Sequence, residues 1–167
     1  MQQAQMKTTR PAELEAPRVE HGRPLLITGL RSHFADEPWK GIPELWRRFA
    51  QHLGKIPGQV GRTAYGLCFL QASGVEYLAG VEVSRSSGLP SDFTTVSVPA
   101  QKYLVFSHRE HVSKLHLRCA TISEWLPTSG HEAAKTPGSP DFFESYTEEF
   151  DPRTGMGGIE VWAPIKE

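Results

Sequence analysis

The chain has 167 residues, 38% hydrophobic and 22% charged, with a formal net charge of -1. That is enough for one domain with a sizeable core, and it lacks the basic excess that draws a protein to nucleic acid. No apolar run approaches the roughly 18–20 residues that span a bilayer, the polar start MQQAQMKTTRPAELEAP lacks the apolar segment of a signal peptide, and two cysteines, Cys68 and Cys119, read as buried thiols in a reducing cytoplasm.

In chain order, residues 1–19 read as a flexible tail and residues 20–167 as one domain. RPLLITGLRSHF is strand-like. GIPELWRRFAQHLGKIPG then places Ile42, Leu45, Trp46, Phe49 and Leu53 at helical spacing, with Pro43 in the first turn and PG at 57–58 closing the helix. TAYGLCFL and VEYLAGVEV are strands joined by the hairpin chemistry of QASG, and RSSGLPSD at 85–92 is a loop. The second half repeats the order. QKYLVFSH is a strand; EHVSKLHLRCATISEWLP carries Val112, Leu115, Cys119, Ile122 and Leu126 on one helical stripe that Pro127 ends. The loop TSGHEAAKTPGSP leads to two more strands, DFFESYTEEF and GGIEVWAPI. Each half, about 20–84 and 99–165, is strand, helix, strand, strand. The pattern predicts an α+β fold, two βαββ units with a fused antiparallel sheet and a cleft between them.

One stretch conflicts with simple burial. Alternation along DFFESYTEEFDP puts Phe142, Glu144, Tyr146, Glu148 and Phe150 on one face, so carboxylates point where aromatics point. Either this is an edge strand with its acids in water, or Glu144 lies in a poorly solvated aromatic site, where an unpaired charge costs several kcal/mol or more. The histidines and cysteine of SHREHVSKLHLRC (His108, His111, His116, Cys119) do not fall at metal-ligand spacing, and no metal or other cofactor is expected. No GxSxG elbow, phosphate loop or Cys–His pair marks a catalyst.

The segments IPELWRRFAQHL, AYGLCF, YLAGVEV, VPAQKYLVFSH, DFFESYTEEFDP and IEVWAPI occur in the order seen in GyrI-like proteins. These are relatives of the effector-binding domains of AraC-type and MerR-type multidrug regulators, and the resemblance spans about residues 20–167. It implies two βαββ units related by a pseudo-two-fold, with a ligand cleft between them. It also implies that Glu144, which matches the glutamate of the family's F-E-x-Y strand, meets lipophilic cations at the bottom of an aromatic pocket. Around it the candidates are Trp46 and Phe49, as core or as ring edges lining the cleft, and Tyr65, as pocket wall or core beside Gly66. Tyr77 and Tyr146 share faces with apolar neighbours, and Trp162 faces away from Ile159, Val161 and Ala163, as a cleft lining would. The resemblance implies a stand-alone binder of small lipophilic or cationic aromatic molecules. Without room for a helix-turn-helix before the first strand, no direct nucleic-acid binding is expected, and without a long apolar run no membrane contact. Two alternatives stay open: a hydrolase opening strained cyclopropane electrophiles with Glu144 as its catalytic group, and a protein-binding module of the gyrase-inhibiting kind.

Overall fold

The structure, a computed structural model, describes residues 10–167. In chain order its elements are β1 (Arg18–Gly22), β2 (Leu25–Phe34), α1 (Pro38–Ala50), β3 (Gln59–Leu70), β4 (Val75–Val83), β5 (Thr94–Val98), β6 (Gln101–His108), α2 (Leu115–Trp125), β7 (Phe142–Tyr146) and β8 (Ile159–Ile165). Short 3-10 turns flank α2 at Val112–Lys114 and Leu126–Thr128. The strands form one antiparallel sheet in the order β1-β6-β8-β7-β3-β4-β2-β5. The fold is α+β, and strand–helix–strand–strand occurs twice, with β3 and β7 paired at the centre.

The two ends of this sheet are joined. Only Arg23 and Pro24 separate β1 from β2, and only Pro99 and Ala100 separate β5 from β6. The register runs on from Gly22↔Gln101 to Leu25↔Val98 without a slip. The pairs β1–β2 and β5–β6 are therefore two long strands, interrupted where prolines remove ladder donors, and their pairing curls the sheet back on itself. This gives the sheet two buried faces. On the first, Leu45 and Phe49 of α1 and Leu115 and Ile122 of α2 cover Tyr77, Ala79 and Val81 on one side and Leu104, Phe106, Val161 and Ala163 on the other. The second face lies inside the curl, where Ile27, Leu67, Leu78, Val105 and Phe143 pack on one another. Burial of each such side chain contributes about 1.5–3 kcal/mol. β4 serves both faces, which is why VEYLAGVEV is apolar almost throughout.

Several local features differ from the sequence reading. The helix α1 begins a turn earlier than GIPELW suggests, at Pro38 after a left-handed Glu37 (φ 43°), so Pro43 is inside it. It ends at Ala50, leaving Leu53 exposed at 46% in the following turn. The strand β7 stops at Tyr146, so Glu148 and Glu149 lie in an exposed turn. The tail expected for residues 1–19 falls partly outside the described residues, at 1–9. From residue 10 onward the chain is held. Leu14 is 1% exposed in the core beside Leu104 and Phe106, the Arg118 guanidinium donates to the Glu13 carbonyl, and Glu15 pairs with Arg109 at 2.6 Å. Alternation and helical spacing carry no signal for a single apolar anchor in a polar run. Leu14→Ala is expected to lower stability by about 2 kcal/mol, read as a lower urea midpoint at unchanged slope; an unchanged midpoint would make the anchor incidental.

Candidate functional site

The centre of the sheet sets the site. Glu144 sits mid-strand in β7, between Gly66 of β3 and Val161 of β8. Strand alternation aims it at the helical face, where it is 8% exposed. One of its oxygens, Oε1, accepts hydrogen bonds from the Tyr77 hydroxyl at 2.7 Å and the Tyr146 hydroxyl at 2.8 Å. Trp46 of α1 closes over this group. Its indole N–H donates to the Tyr77 oxygen at 3.0 Å, and its ring packs edge-on against Tyr146 at 5.3 Å and Tyr77 at 6.3 Å. Phe49, one turn on, is fully buried and supports Trp46 at 6.1 Å from behind.

Gly66 makes the arrangement possible. A side-chain carbon there would meet the Tyr77 hydroxyl oxygen at 1.9 Å and Glu144 Oε1 at 2.9 Å. The space left free by this glycine is filled by the phenol itself.

Electrostatically, Glu144 stands apart from the other acids. Glu82, also buried, takes both arms of the Arg23 guanidinium at 2.5 and 2.7 Å. Glu160 takes Arg18 at 2.8 and 3.2 Å, and Glu76 takes Arg31 at 2.7 Å. Glu144 has two phenols and, among the described residues, no cation. Burial pushes its carboxyl above the ordinary carboxylate value, and the phenol hydrogen bonds hold it down only in part. The same burial, with the charge of Glu144 beside them, drives Tyr77 and Tyr146 well above the ordinary phenol value. Burial also raises the thiols of Cys68 and Cys119, so neither is a ready nucleophile.

A cavity of about 520 Å³ lies beneath α2. Cys119, Phe142 and Val161 line it, and two of these flank Glu144 on the sheet: Phe142 is two residues before it on the same face, and Val161 is its partner in β8. Ile122, Leu126 and the 131–135 segment complete the wall. A second, more open hollow of about 540 Å³ lies by Pro24, Val98 and Pro137; its buried acid is Glu82, already paired with Arg23.

Of the residues singled out from sequence, the structure brings Glu144, Tyr77, Tyr146, Trp46 and Phe49 together. It does not bring Tyr65 and Trp162 to them. Tyr65 is opposite Ser145, and both aromatics pack on Phe143 inside the curl, Tyr65 edge-on at 5.8 Å and Trp162 stacked at 5.5 Å. The Trp162 indole donates to the Ser145 hydroxyl at 3.2 Å, and the Arg18 guanidinium lies 5.8 Å above its ring. The reason is the second buried face: a tryptophan turned away from the aliphatic side of β8 still points into core. His111 caps the turn before α2 by accepting from the Ser113 amide, and its carbonyl contacts the His108 ring at 3.0 Å. The cavity residues Cys119, Phe142 and Val161 are not among the site residues the sequence singles out; the one available signal is that Phe142 shares the face of Glu144 along β7.

Comparison with known proteins gives this geometry a family. Residues 28–165 match the model of the integron-associated effector binding protein family, Cass2. The transcriptional regulator BrlR of Pseudomonas aeruginosa is 30% identical over 147 residues, 86% of this chain, and the chain spans 53% of that regulator's length. Among solved structures, SAV2435 bound to tetraphenylphosphonium superposes with a TM-score of 0.70 at 18% identity, covering 91% of this chain and 94% of that one. The integron cassette protein from the mobile metagenome of Vibrio cholerae gives 0.64 at 16% identity, over 92% and 97%. The EcmrR C-terminal domain gives 0.68 at 13% identity, over 90% and 97%. These likenesses bear out the resemblance to GyrI-like effector-binding domains, and with 28–165 matched, the chain belongs to the integron-associated effector-binding protein family.

Proposed function

We propose that the chain binds small lipophilic, aromatic and often cationic molecules, and that Glu144 supplies the charge they meet. The observation that carries this is the buried carboxylate without a cation among the described residues: Glu76, Glu82 and Glu160 of the same sheet have an arginine each, and Glu144 has two phenols, with an indole donating to one of them. A buried charge held without a counter-ion gains most from a cation that brings one. Tyr77, Tyr146 and Trp46 offer ring faces and edges to the same cation. The cavity of about 520 Å³ is lined by Phe142 and Val161, the neighbours of Glu144 on the sheet, and not by Glu144 itself; it gives adjoining room of the size small-molecule sites use. In the free protein Trp46 covers the two phenols that donate to Glu144, so the ligand's positive centre takes the place of that indole. The ligand-bound SAV2435 structure supports the ligand class, since tetraphenylphosphonium is a lipophilic cation.

Tyr65 and Trp162 are left to the opposite face in this reading, and the domain recognises a small molecule without touching nucleic acid itself. The test is titration with tetraphenylphosphonium while following tryptophan emission, with the ligand recovered and weighed by mass spectrometry. Saturable quenching that Trp46→Phe reduces and Trp162→Phe preserves is the expected result, with the ligand returned unchanged. Quenching that follows Trp162 instead would move the site to the inside of the curl. A strained cyclopropane electrophile incubated in parallel separates capture from hydrolysis: water adducts accumulating over many turnovers would make Glu144 a catalytic acid or base.

A further inference from the structure

The cavity beneath α2 carries an acid of its own. Besides Cys119, the titratable groups on its wall are His131, Glu132, Lys135 and Asp141. Glu132 is exposed and meets Lys166 at 3.7 Å, so it belongs to the solvent side. Asp141 is different: its side chain is only 16% exposed, and its Oδ2 accepts a hydrogen bond from the Leu70 amide at 2.7 Å. Its Oδ1 accepts from the Lys135 ammonium.

The two partners of this pair are held unequally. Asp141 stands at the entry to β7, tied by the Leu70 amide and by its own amide, which donates to the Cys68 carbonyl at 2.8 Å. Lys135 lies on the segment that crosses the end of β8, where the Ala134 amide donates to the Pro164 carbonyl at 3.0 Å. That fixes its backbone, but its side chain is 62% exposed. An ion pair with one partner in water adds little stability, so the lysine leaves for solvent at small cost and the carboxylate stays on the cavity wall. The same wall leads to Glu144. Phe142 lies two residues before Glu144 on its face, and Val161 is the partner of Glu144 across the β7–β8 ladder; both line this cavity with Asp141. Asp141 is three positions before Glu144, about 10 Å at the rise of a strand.

We infer that Asp141 is a second anionic subsite, and that the pocket takes ligands with two positive centres about 10 Å apart joined by an apolar body. One centre meets Glu144, the body lies in the cavity against Phe142 and Val161, and the other centre replaces Lys135 at Asp141. Lys135 is the subsite's resident cation in the free protein. This inference rests on Glu144 being the charge-binding group, and it adds the ligand's second charge.

The test compares hexamethonium, a six-carbon chain with a trimethylammonium group at each end, with hexyltrimethylammonium, the same chain with one such group. Affinities are measured by calorimetry at one ionic strength, and the wild-type chain should prefer the dication. Asp141→Asn keeps an oxygen for the Leu70 amide. It is expected to weaken hexamethonium about 5–10-fold and to leave hexyltrimethylammonium within about twofold. Lys135→Ala should act in the opposite sense, strengthening hexamethonium about 2–5-fold with the monocation unchanged, because the carboxylate is vacated. A pair that only ties the 131–135 segment to β7 would give two variants with lowered melting temperatures and an unchanged preference between the probes, and that outcome overturns the inference. If Glu144→Gln abolishes binding of the monocation while Asp141→Asn leaves the preference untouched, the second subsite is wrong and the charge site stands. If the monocation binds equally well without the Glu144 carboxylate, the charge site is wrong and the two-charge pocket falls with it. If neither probe binds the wild-type chain, both readings fall together.

Discussion

Replacing Glu144 by glutamine is expected to weaken binding of a permanent cation by about 2–5 kcal/mol, the range for removing one partner of a buried charge pair. The substitution keeps an oxygen where Tyr77 and Tyr146 donate, so the two hydrogen bonds that organise the site survive. A neutral ligand of the same shape should lose far less. The pH dependence carries the sign. In the free protein burial holds the Glu144 carboxyl above its ordinary value of 4.5. A bound cation favours the charged form and pulls the carboxyl back down, so binding releases a proton. Affinity must rise with pH until the free-state value is passed, and then level off. Glu144→Gln should flatten that profile. Folding has the opposite slope. The folded state keeps its proton where the unfolded chain has lost it, so this group costs no stability below 4.5 and an increasing amount as pH climbs to the raised value, constant above it. The variant removes that penalty, so its stability should fall less over the same window. Equal affinity losses for charged and neutral ligands would return Glu144 to a structural role.

The elements with strong local periodicity are legible in the sequence. The core strands of each half and the stripe Leu45–Phe49 follow from burial at intervals of two or three to four residues, and Leu115–Ile122 is a weaker stripe, with Leu117 exposed beside it. β1 and β5 were not readable, for a physical reason. RVEHG and TTVSV are short and mixed, and what makes them strands is each other's neighbours, more than 70 residues away: Arg18 against Val105, Leu25 against Val98. The closure they produce is also what misdirects the reading of Trp162 and Tyr65. Alternation places them correctly opposite Val161 and Gly66, yet a curled sheet has core on that side too. Glu144 was legible as a misfit among aromatics. Tyr77 was legible as a candidate on an apolar face but not as the hydroxyl donor to Glu144, because their separation of 67 positions is bridged by β3, whose register no local pattern gives.

That register makes Gly66 the position where a single carbon should do the most damage. Gly66 pairs with Ala79 of β4 on one side and with Glu144 of β7 on the other, so it lies between the two strands whose side chains meet above it. A methyl group there stands 1.9 Å from the Tyr77 hydroxyl oxygen, 2.5 Å from its Cζ and 2.9 Å from Glu144 Oε1. Tyr77 is 1% exposed and Trp46 packs against it, so its ring has little room to retreat. The phenol must leave Glu144 or the strands must part. Overpacking of this kind costs about 1–3 kcal/mol, and each buried hydrogen-bonding group left unsatisfied adds about 1–3 kcal/mol. Gly66→Ala is therefore expected to lower stability by at least about 3 kcal/mol and to abolish the Trp46–Tyr77–Glu144 chain of hydrogen bonds. Gly66→Ala combined with Tyr77→Phe separates the two costs. Without the hydroxyl the nearest clash is relieved, so the double variant should recover part of the stability while cation binding stays impaired, because Glu144 keeps only Tyr146 as a donor. Urea unfolding gives the stability and tetraphenylphosphonium titration the binding. A double variant no more stable than Gly66→Ala alone would mean that the clash is with the ring or the strands and that the hydroxyl is not what Gly66 accommodates.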